Sequence, residues 1–199
     1  MTFSRSFLDD SIAILEQVSV DDIEAVVAVI RETRDGGGRV FFCGSGGGAG
    51  HASHAACDFR TLAHVESYCV TDNVSELTAR VNDASWESSY ADWLRASRLG
   101  ASDCLFVFSV GGGDADRNIS TNLVNAIELA ISVGAAVVGV AGRDGGTLRR
   151  RATASVVIPT EKPNAVTAQT EGLQSLMWHL IVSHPDLATT PPRWESVSP

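Results

Sequence analysis

Two histidines and two carboxylates carry the chemical interest of this sequence. His54 and Asp58 are four residues apart, so on a helix they share one face, a turn from each other. They follow a β-prone run, Arg39 to Cys43, and a loop with five glycines among the seven residues from Gly44 to Gly50. Apolar strand, glycine turn and helix start together form a phosphate cradle: without Cβ atoms the backbone N–H groups close around an oxyanion, and the helix adds its positive end. Glycine after a strand is also plain turn chemistry, so a second cluster has to decide. Glu171 and His179 supply one, in and just before the largely apolar stretch LQSLMWHLIV. An imidazole there is either a satisfied core residue or, with its protonation depressed by burial, a ligand or general acid–base group. An anion site beside an acid–base or metal-binding pair is what an enzyme of sugar phosphates needs.

The elements that must position these groups are bounded by composition. At 199 residues and 44% hydrophobic content the chain suits one well-buried α/β domain. A net charge of −9 leaves no electrostatic footprint for nucleic acid or an anionic membrane, so an anionic ligand has to be held by local dipoles and a few arginines. No apolar run approaches ~18 residues, and MTFSRSFLDDSIAIL has acids where a signal peptide would be apolar, so a soluble, cytoplasmic protein is expected. Cys43, Cys57, Cys69 and Cys104 have no CxxC spacing and read as reduced, buried thiols.

Along the chain, apolar periodicity predicts two helices within residues 6–34, with Ser19 or Asp21 capping the second. The first has nothing of its own to cover and is expected on a partner subunit, or else on its own domain. The core, 38–184, repeats strand, glycine loop and helix: strands at Ser67 to Val70, Asp103 to Ser109, Ala135 to Ala141 and Ala154 to Ile158 join the first. Asn82 and Asp83 fall in a polar break before the aromatic helix Trp86 to Leu94, as a turn, a cap or a binding pair. A helix from about Ile119 to Val133 closes at Gly134, Pro159 to Thr170 is a loop, and Glu171 to Ser183 is the last helix. His184 reads as a helix-end cap, and 187–199 as a loose tail. The whole predicts a three-layer α/β/α sandwich with a central five-stranded parallel sheet, ligands binding at the carboxyl ends of its strands.

From Phe7 to His184 the chain resembles the sugar isomerase (SIS) domain and, within it, the sedoheptulose 7-phosphate isomerase (phosphoheptose isomerase) family. The resemblance is carried by CGSGGG with His54 and Asp58, by TDN and VND, by FSVGGG where the family usually has STSGNS, by GRDGG, and by the spacing of Glu171 and His179. It implies a flavodoxin-like fold with extra N-terminal helices for oligomerisation and a homotetramer with active sites between subunits. The implied reaction interconverts a seven-carbon ketose phosphate and its aldose. It implies a divalent metal, zinc in the first place, held by His54, Asp58, Glu171 and His179, with Asp in place of the family Glu and Glu in place of its Gln. Residues eight apart on a helix rise ~12 Å and turn ~80°, so Glu171 shares an ion with His179 only from the helix's first turn.

The same resemblance assigns proton transfer to Asp58 and His179, and sugar contacts to Ser45, Gly46, Gly47, Gly48, Asn82 and Asp83. Phosphate contacts fall to Ser109, Val110, Gly111, Asp114 and Arg117, with Ser120 beside them. Asp114 repels phosphate unless it caps a turn or pairs with Arg117. This hydroxyl-poor loop opens two alternatives: an isomerase of an eight-carbon octulose phosphate, as used for antibiotic sugars, or a non-catalytic SIS protein that binds sugar phosphate or acts as a scaffold.

Overall fold

The sandwich is found in the computed structural model, which describes residues 1–160 and 162–193. Strands β1 (Val40–Gly44), β2 (Ser67–Cys69), β3 (Cys104–Ser109), β4 (Ala136–Gly142) and β5 (Ala154–Ile158) are all parallel, in the order β2-β1-β3-β4-β5. The helices are α1 (Phe3–Leu15), α2 (Val20–Asp35), α3 (Gly47–Leu62), α4 (Val74–Asp83), α5 (Trp86–Ala96), α6 (Thr121–Ser132), α7 (Gly146–Arg151) and α8 (Val166–Val182). Both faces of the sheet are covered, which is why CLFVFS runs apolar without alternation. Successive side chains of β3 point to opposite faces: Phe106 and Phe108 join the core under α2, α3 and α8, and Leu105 and Val107 the core under α5, α6 and α7.

Ser19 does cap α2, its hydroxyl accepting from the Asp22 N–H at 3.1 Å, and Ile23, Val26, Val27 and Ile30 form that helix's buried face. Helix α1 buries no residue outright. Its polar side is tied to its own domain: the Ser11 hydroxyl donates to Gln169 Oε1 at 2.8 Å, Gln169 Nε2 donates to the Phe7 carbonyl at 3.1 Å, and Lys162 pairs with Asp10. Phe3, Leu8 and Ile12 remain exposed.

Several boundaries differ from the sequence reading. Helix α6 starts at Thr121 because Ile119 is paired with Asp114 in an antiparallel bridge and Ser120 is left-handed, at φ 52°. Helix α8 starts five residues early, at Val166: Gln169 and Thr170 are buried, and the Thr170 hydroxyl bonds that of Thr160 at 3.0 Å. Asn82 and Asp83 close α4, and the break falls at Ala84–Ser85, where Ser85 caps α5. Cys57 is exposed on the outer face of α3, while the other three cysteines are buried as expected. The tail is anchored where it begins: Leu187 is fully buried, and the N–H groups of Thr189 and Thr190 donate to the Leu62 carbonyl at 2.8 and 3.1 Å. Its last part, 194–199, lies outside the described residues. His184 has a helix-end role, its Nδ1 accepting from the Asp186 N–H at 3.2 Å.

At the amino edge of the sheet, Asp103 is only 3% exposed and saturated: it accepts from the N–H, Nε and Nη2 of Arg39 and from the Gly100 N–H, all between 2.8 and 3.1 Å. Burial pushes this carboxyl up, but Arg39 and the two backbone donors outweigh it and hold it below the usual carboxylate range. Among the described residues no helix is long and apolar enough to cross a membrane.

Candidate active site

Helices α3 and α8 both start at the carboxyl edge of the sheet and lie side by side in the same direction, Glu171 beside Gly47 and Trp178 beside His54. Trp178, fully buried, is the platform of their seam: the His179 ring stacks on it at 3.5 Å and the His54 ring meets it edge-on at 4.7 Å. The two imidazoles are then 5.5 Å apart, and His54 Nε2 is 3.6 Å from Asp58 Oδ2. One ligand atom from each of His54, Asp58 and His179 lies within 4.8 Å of the others. His54 faces outward with 60% of its side chain exposed, and Asp58 is shielded at 23%.

His179 Nδ1 is 2.7 Å from the Ser175 carbonyl, which can only accept, so Nδ1 carries the proton and Nε2 is left as acceptor or ligand. Two imidazole nitrogens and a carboxylate oxygen, one imidazole steadied by a backbone carbonyl, are a donor set that fits zinc with a coordination position open. Glu171 is not in this trio. Because α8 begins at Val166, Glu171 is in its second turn, and its carboxylate lies over Gly47, where a Cβ would come within 2.5 to 2.8 Å of the carboxylate atoms. The group at the head of α3 is therefore the chain's own carboxylate, in the place where the sequence reads an open phosphate cradle.

One residue of this seam escaped the sequence reading. His51 shares the α3 face with His54 and Asp58 at i, i+3 and i+7, a spacing that was there to be seen. Its ring is 5.9 Å from that of Phe108, and its Nε2 is buried without a hydrogen-bond partner. Burial lowers its protonation, opposed by a hydrogen bond to the Glu171 backbone and by the Glu171 carboxylate. Gln174 was also missed: fully buried, it donates from Nε2 to the carbonyls of Ser109 and Val140, each at 2.9 Å, fastening α8 to two strands.

A second region lies at the carboxyl ends of β3, β4 and β5, around a cavity of about 1130 Å³. Ser109, Val110, Gly111, Asp114 and Arg117 line it, so the structure brings together the residues expected to hold phosphate. Asp114 caps its own turn, Oδ1 accepting from the N–H groups of Asp116 and Arg117 at 3.0 and 3.1 Å, and its other oxygen is 3.5 Å from Arg117 Nε. Both ways of quieting that carboxylate are thus in use. Gly112, at φ +73°, is required: a Cβ there would sit 1.8 Å from the Gly145 carbonyl oxygen, so the loops after β3 and β4 touch backbone to backbone. Thr147 and Leu148 lock the contact, their N–H groups donating to the carbonyls of Gly113 and Gly112 at 2.9 Å.

The remaining candidates lie elsewhere. Ser45 accepts from Asn122 Nδ2 at 3.0 Å, between the ends of β1 and β3, and Gly46, Gly47 and Gly48 form the turn into α3. None of these four lines the cavity, nor does the trio of His54, Asp58 and His179. Asn82 and Asp83 bond each other at 2.8 Å on the exposed end of α4.

A family model described as "SIS domain" matches residues 6–142. The chain is 34% identical over 191 residues to the lincomycin biosynthesis protein LmbN of Streptomyces lincolnensis, an alignment spanning 90% of this chain and 68% of that protein. It is 30% identical over 151 residues to a phosphoheptose isomerase of Akkermansia muciniphila, spanning 73% of this chain and 76% of that one. Among solved structures, the phosphoheptose isomerase GmhA of Neisseria gonorrhoeae superposes with a TM-score of 0.78 at 23% identity, over 89% of this chain and 94% of that one.

Proposed function

The chain belongs to the SIS domain family, and on that premise we propose that it is an aldose–ketose isomerase of the phosphoheptose isomerase type, acting on a long-chain sugar phosphate. The observation that carries this reading is the trio of His54, Asp58 and His179 within 4.8 Å on two rigid helices. Isomerisation moves a proton between neighbouring carbons, so it needs a base over the carbon, a group to exchange a proton with the carbonyl oxygen, and a counter to the enediolate charge. Asp58, shielded beside His54, is the base. His179, its Nδ1 fixed by Ser175, offers Nε2 to the oxygen. A divalent ion on this donor set, zinc in the first place, would take the Nε2 lone pair of His179 and polarise the carbonyl in its stead.

His54 is too open to water for a site that stands alone, and the cavity at the strand ends is lined by none of the trio. A homotetramer answers both points, a second copy closing over the α3–α8 seam and bringing it sugar-binding groups such as Asn82 and Asp83. The exposed Phe3, Leu8 and Ile12 of α1, with Leu176 and Leu180 of α8, are the apolar surface such an assembly would cover. Sedoheptulose 7-phosphate is the first substrate to expect. An octulose 8-phosphate is the second reading, favoured by the 34% identity to a lincomycin biosynthesis protein and by the hydroxyl-poor loop after β3. The test is proton exchange in deuterated water with six-, seven- and eight-carbon ketose phosphates, with and without chelator. Exchange with the seven- or eight-carbon substrate, lost to chelator, is expected. No exchange with any of them, metal supplied, would leave a sugar-phosphate-binding or scaffold protein.

A further inference from the structure

We infer that Arg143 and Arg150 form the grip for the substrate's terminal phosphate, a role nothing in the sequence reading assigned to them. The inference rests on the isomerase reading for the identity of the ligand and on the cavity for its place. Both arginines line that cavity from the β4–α7 side, together with Ser109 and the glycine loop after β3. Arg149, Arg150 and Arg151 are consecutive, and their partners differ sharply. Arg149 pairs with Asp22 at 3.0 Å and donates to the Ser155 carbonyl at 2.8 Å; Arg151 makes a two-pronged pair with Glu128 at 3.0 and 2.9 Å. Arg150, between them, reaches among the described residues only the Thr147 hydroxyl, at 3.4 Å.

Arg143 is the second uncommitted cation. Its backbone N–H donates to the Thr160 hydroxyl at 3.3 Å, and no carboxylate among the described residues pairs with its guanidinium. Its Cδ is 3.9 Å from where a Cβ on Gly111 would be, so the side chain runs along the glycine loop. The backbone is left-handed there, at φ 55°, a conformation suited to glycine, and three glycines follow or precede it in the same turn. In a chain of net charge −9, two guanidiniums that no carboxylate among the described residues pairs with share one cavity.

Ser109, Ser120, Thr160 and Thr167 bring hydroxyls to the cavity, neutral donors that leave the charge of a phosphate to be met by the guanidiniums. Ser109 Oγ accepts from the Gly112 N–H at 3.0 Å and is 7% exposed as a residue. Among the described residues three carboxylates also line the cavity and would oppose an anion: Asp114 is held by its turn and by Arg117, Asp144 accepts from the Gly146 N–H at 3.1 Å, and Asp116 is exposed. Two planar forks can bind several non-bridging oxygens of a phosphate monoester at once, which a neutral sugar terminus cannot match.

The test compares Arg143→Gly, Arg150→Ala and the double variant with the wild type, and takes Arg151→Ala as the measure of general charge loss. Glycine suits the left-handed backbone at 143, so that variant removes the guanidinium without threatening the fold. Each single change is expected to raise KM for the ketose phosphate roughly 10- to 100-fold with kcat little altered, and Arg151→Ala to leave KM in place. Unchanged KM in both variants, or an equal rise in Arg151→Ala, overturns the grip and leaves the isomerase reading standing. If the wild type turns over no ketose phosphate, calorimetry with inorganic phosphate decides: binding lost in the double variant upholds the grip, and equal or absent binding in both overturns it.

Discussion

The α3–α8 seam and the cavity at the strand ends solve different problems with different parts of the fold. In the seam every reactive group stands on a helix and both imidazoles are backed by a fully buried Trp178, so spacing is fixed by side-chain packing. Around the cavity the groups stand on loops and on the short helix α7, and spacing is fixed by backbone contact between Gly112 and Gly145 and by two N–H donations. Rigid helices suit proton transfer, where a displacement of about 1 Å costs rate, and loops suit recognition of a terminus. The arginines sharpen the contrast. Arg39, at the far edge of the sheet, has every arm engaged by Asp103 and the carbonyls of Ser97 and Arg98, whereas the guanidinium of Arg143 engages none of the described residues. Saturated charge marks architecture, and unsaturated charge in a cavity marks a ligand.

The hardest blow to this division is to remove a seam group. His179→Ala and Asp58→Ala should each lower kcat by roughly 10²- to 10⁴-fold, with thermal unfolding close to wild type, since neither is packed in the core. Normal turnover in both would end the assignment. Next comes the platform: Trp178→Ala should cost about 3–5 kcal/mol in denaturant unfolding and take most of the activity with it. Trp178→Phe should keep the greater part of both, because ring volume, and not the indole N–H that has no bonding partner here, supports the imidazoles. Equal activity in Trp178→Ala and wild type would mean that packing does not set the trio's geometry.

What was legible in the sequence follows the same division. The five strands, the capped α2 and the one-turn pair of His54 and Asp58 rest on periodicity and local spacing, which a sequence displays. The place of Glu171 does not: it depends on where α8 starts, and that was decided by burial of Val166, Gln169 and Thr170 against distant residues. His51 was hidden inside a glycine-rich loop reading, although its spacing put it on the right face. Arg143 and Arg150 were in view within GRDGGTLRRR, but only partners remote in sequence, Asp22 and Glu128, reveal which arginine of the triplet is left over.

The cavity side can be broken without touching any charge. Gly112→Ala places a methyl on the Gly145 carbonyl and an L side chain at φ +73°, so the two loops must part. A loss of about 1–3 kcal/mol is expected from the backbone conformation, with more from the clash. Kinetically it should raise KM and leave kcat for bound substrate nearly intact, the reverse of His179→Ala. A fall confined to kcat would show that the loops shape the reacting end of the site.

The smallest effect belongs to the saturated arginine. Asp103 titrates below its unfolded value because its bonds to Arg39 and two backbone N–H groups outweigh its burial. A carboxyl depressed in the folded state stabilises the protein above the unfolded pKa, about 3.9, and that contribution is lost as pH falls through the lower folded value. Stability measured by denaturant unfolding should therefore hold from neutral pH to about 4 as far as this residue is concerned, and the gap between wild type and Asp103→Asn should close below it. KM should not follow, since Asp103 is at the amino edge of the sheet and the cavity at the carboxyl edge. A pH-independent gap would mean that Asp103 acts through neutral hydrogen bonding alone. A matching change in KM would mean that the two edges are coupled through β3, and the separation of architecture from recognition would fail.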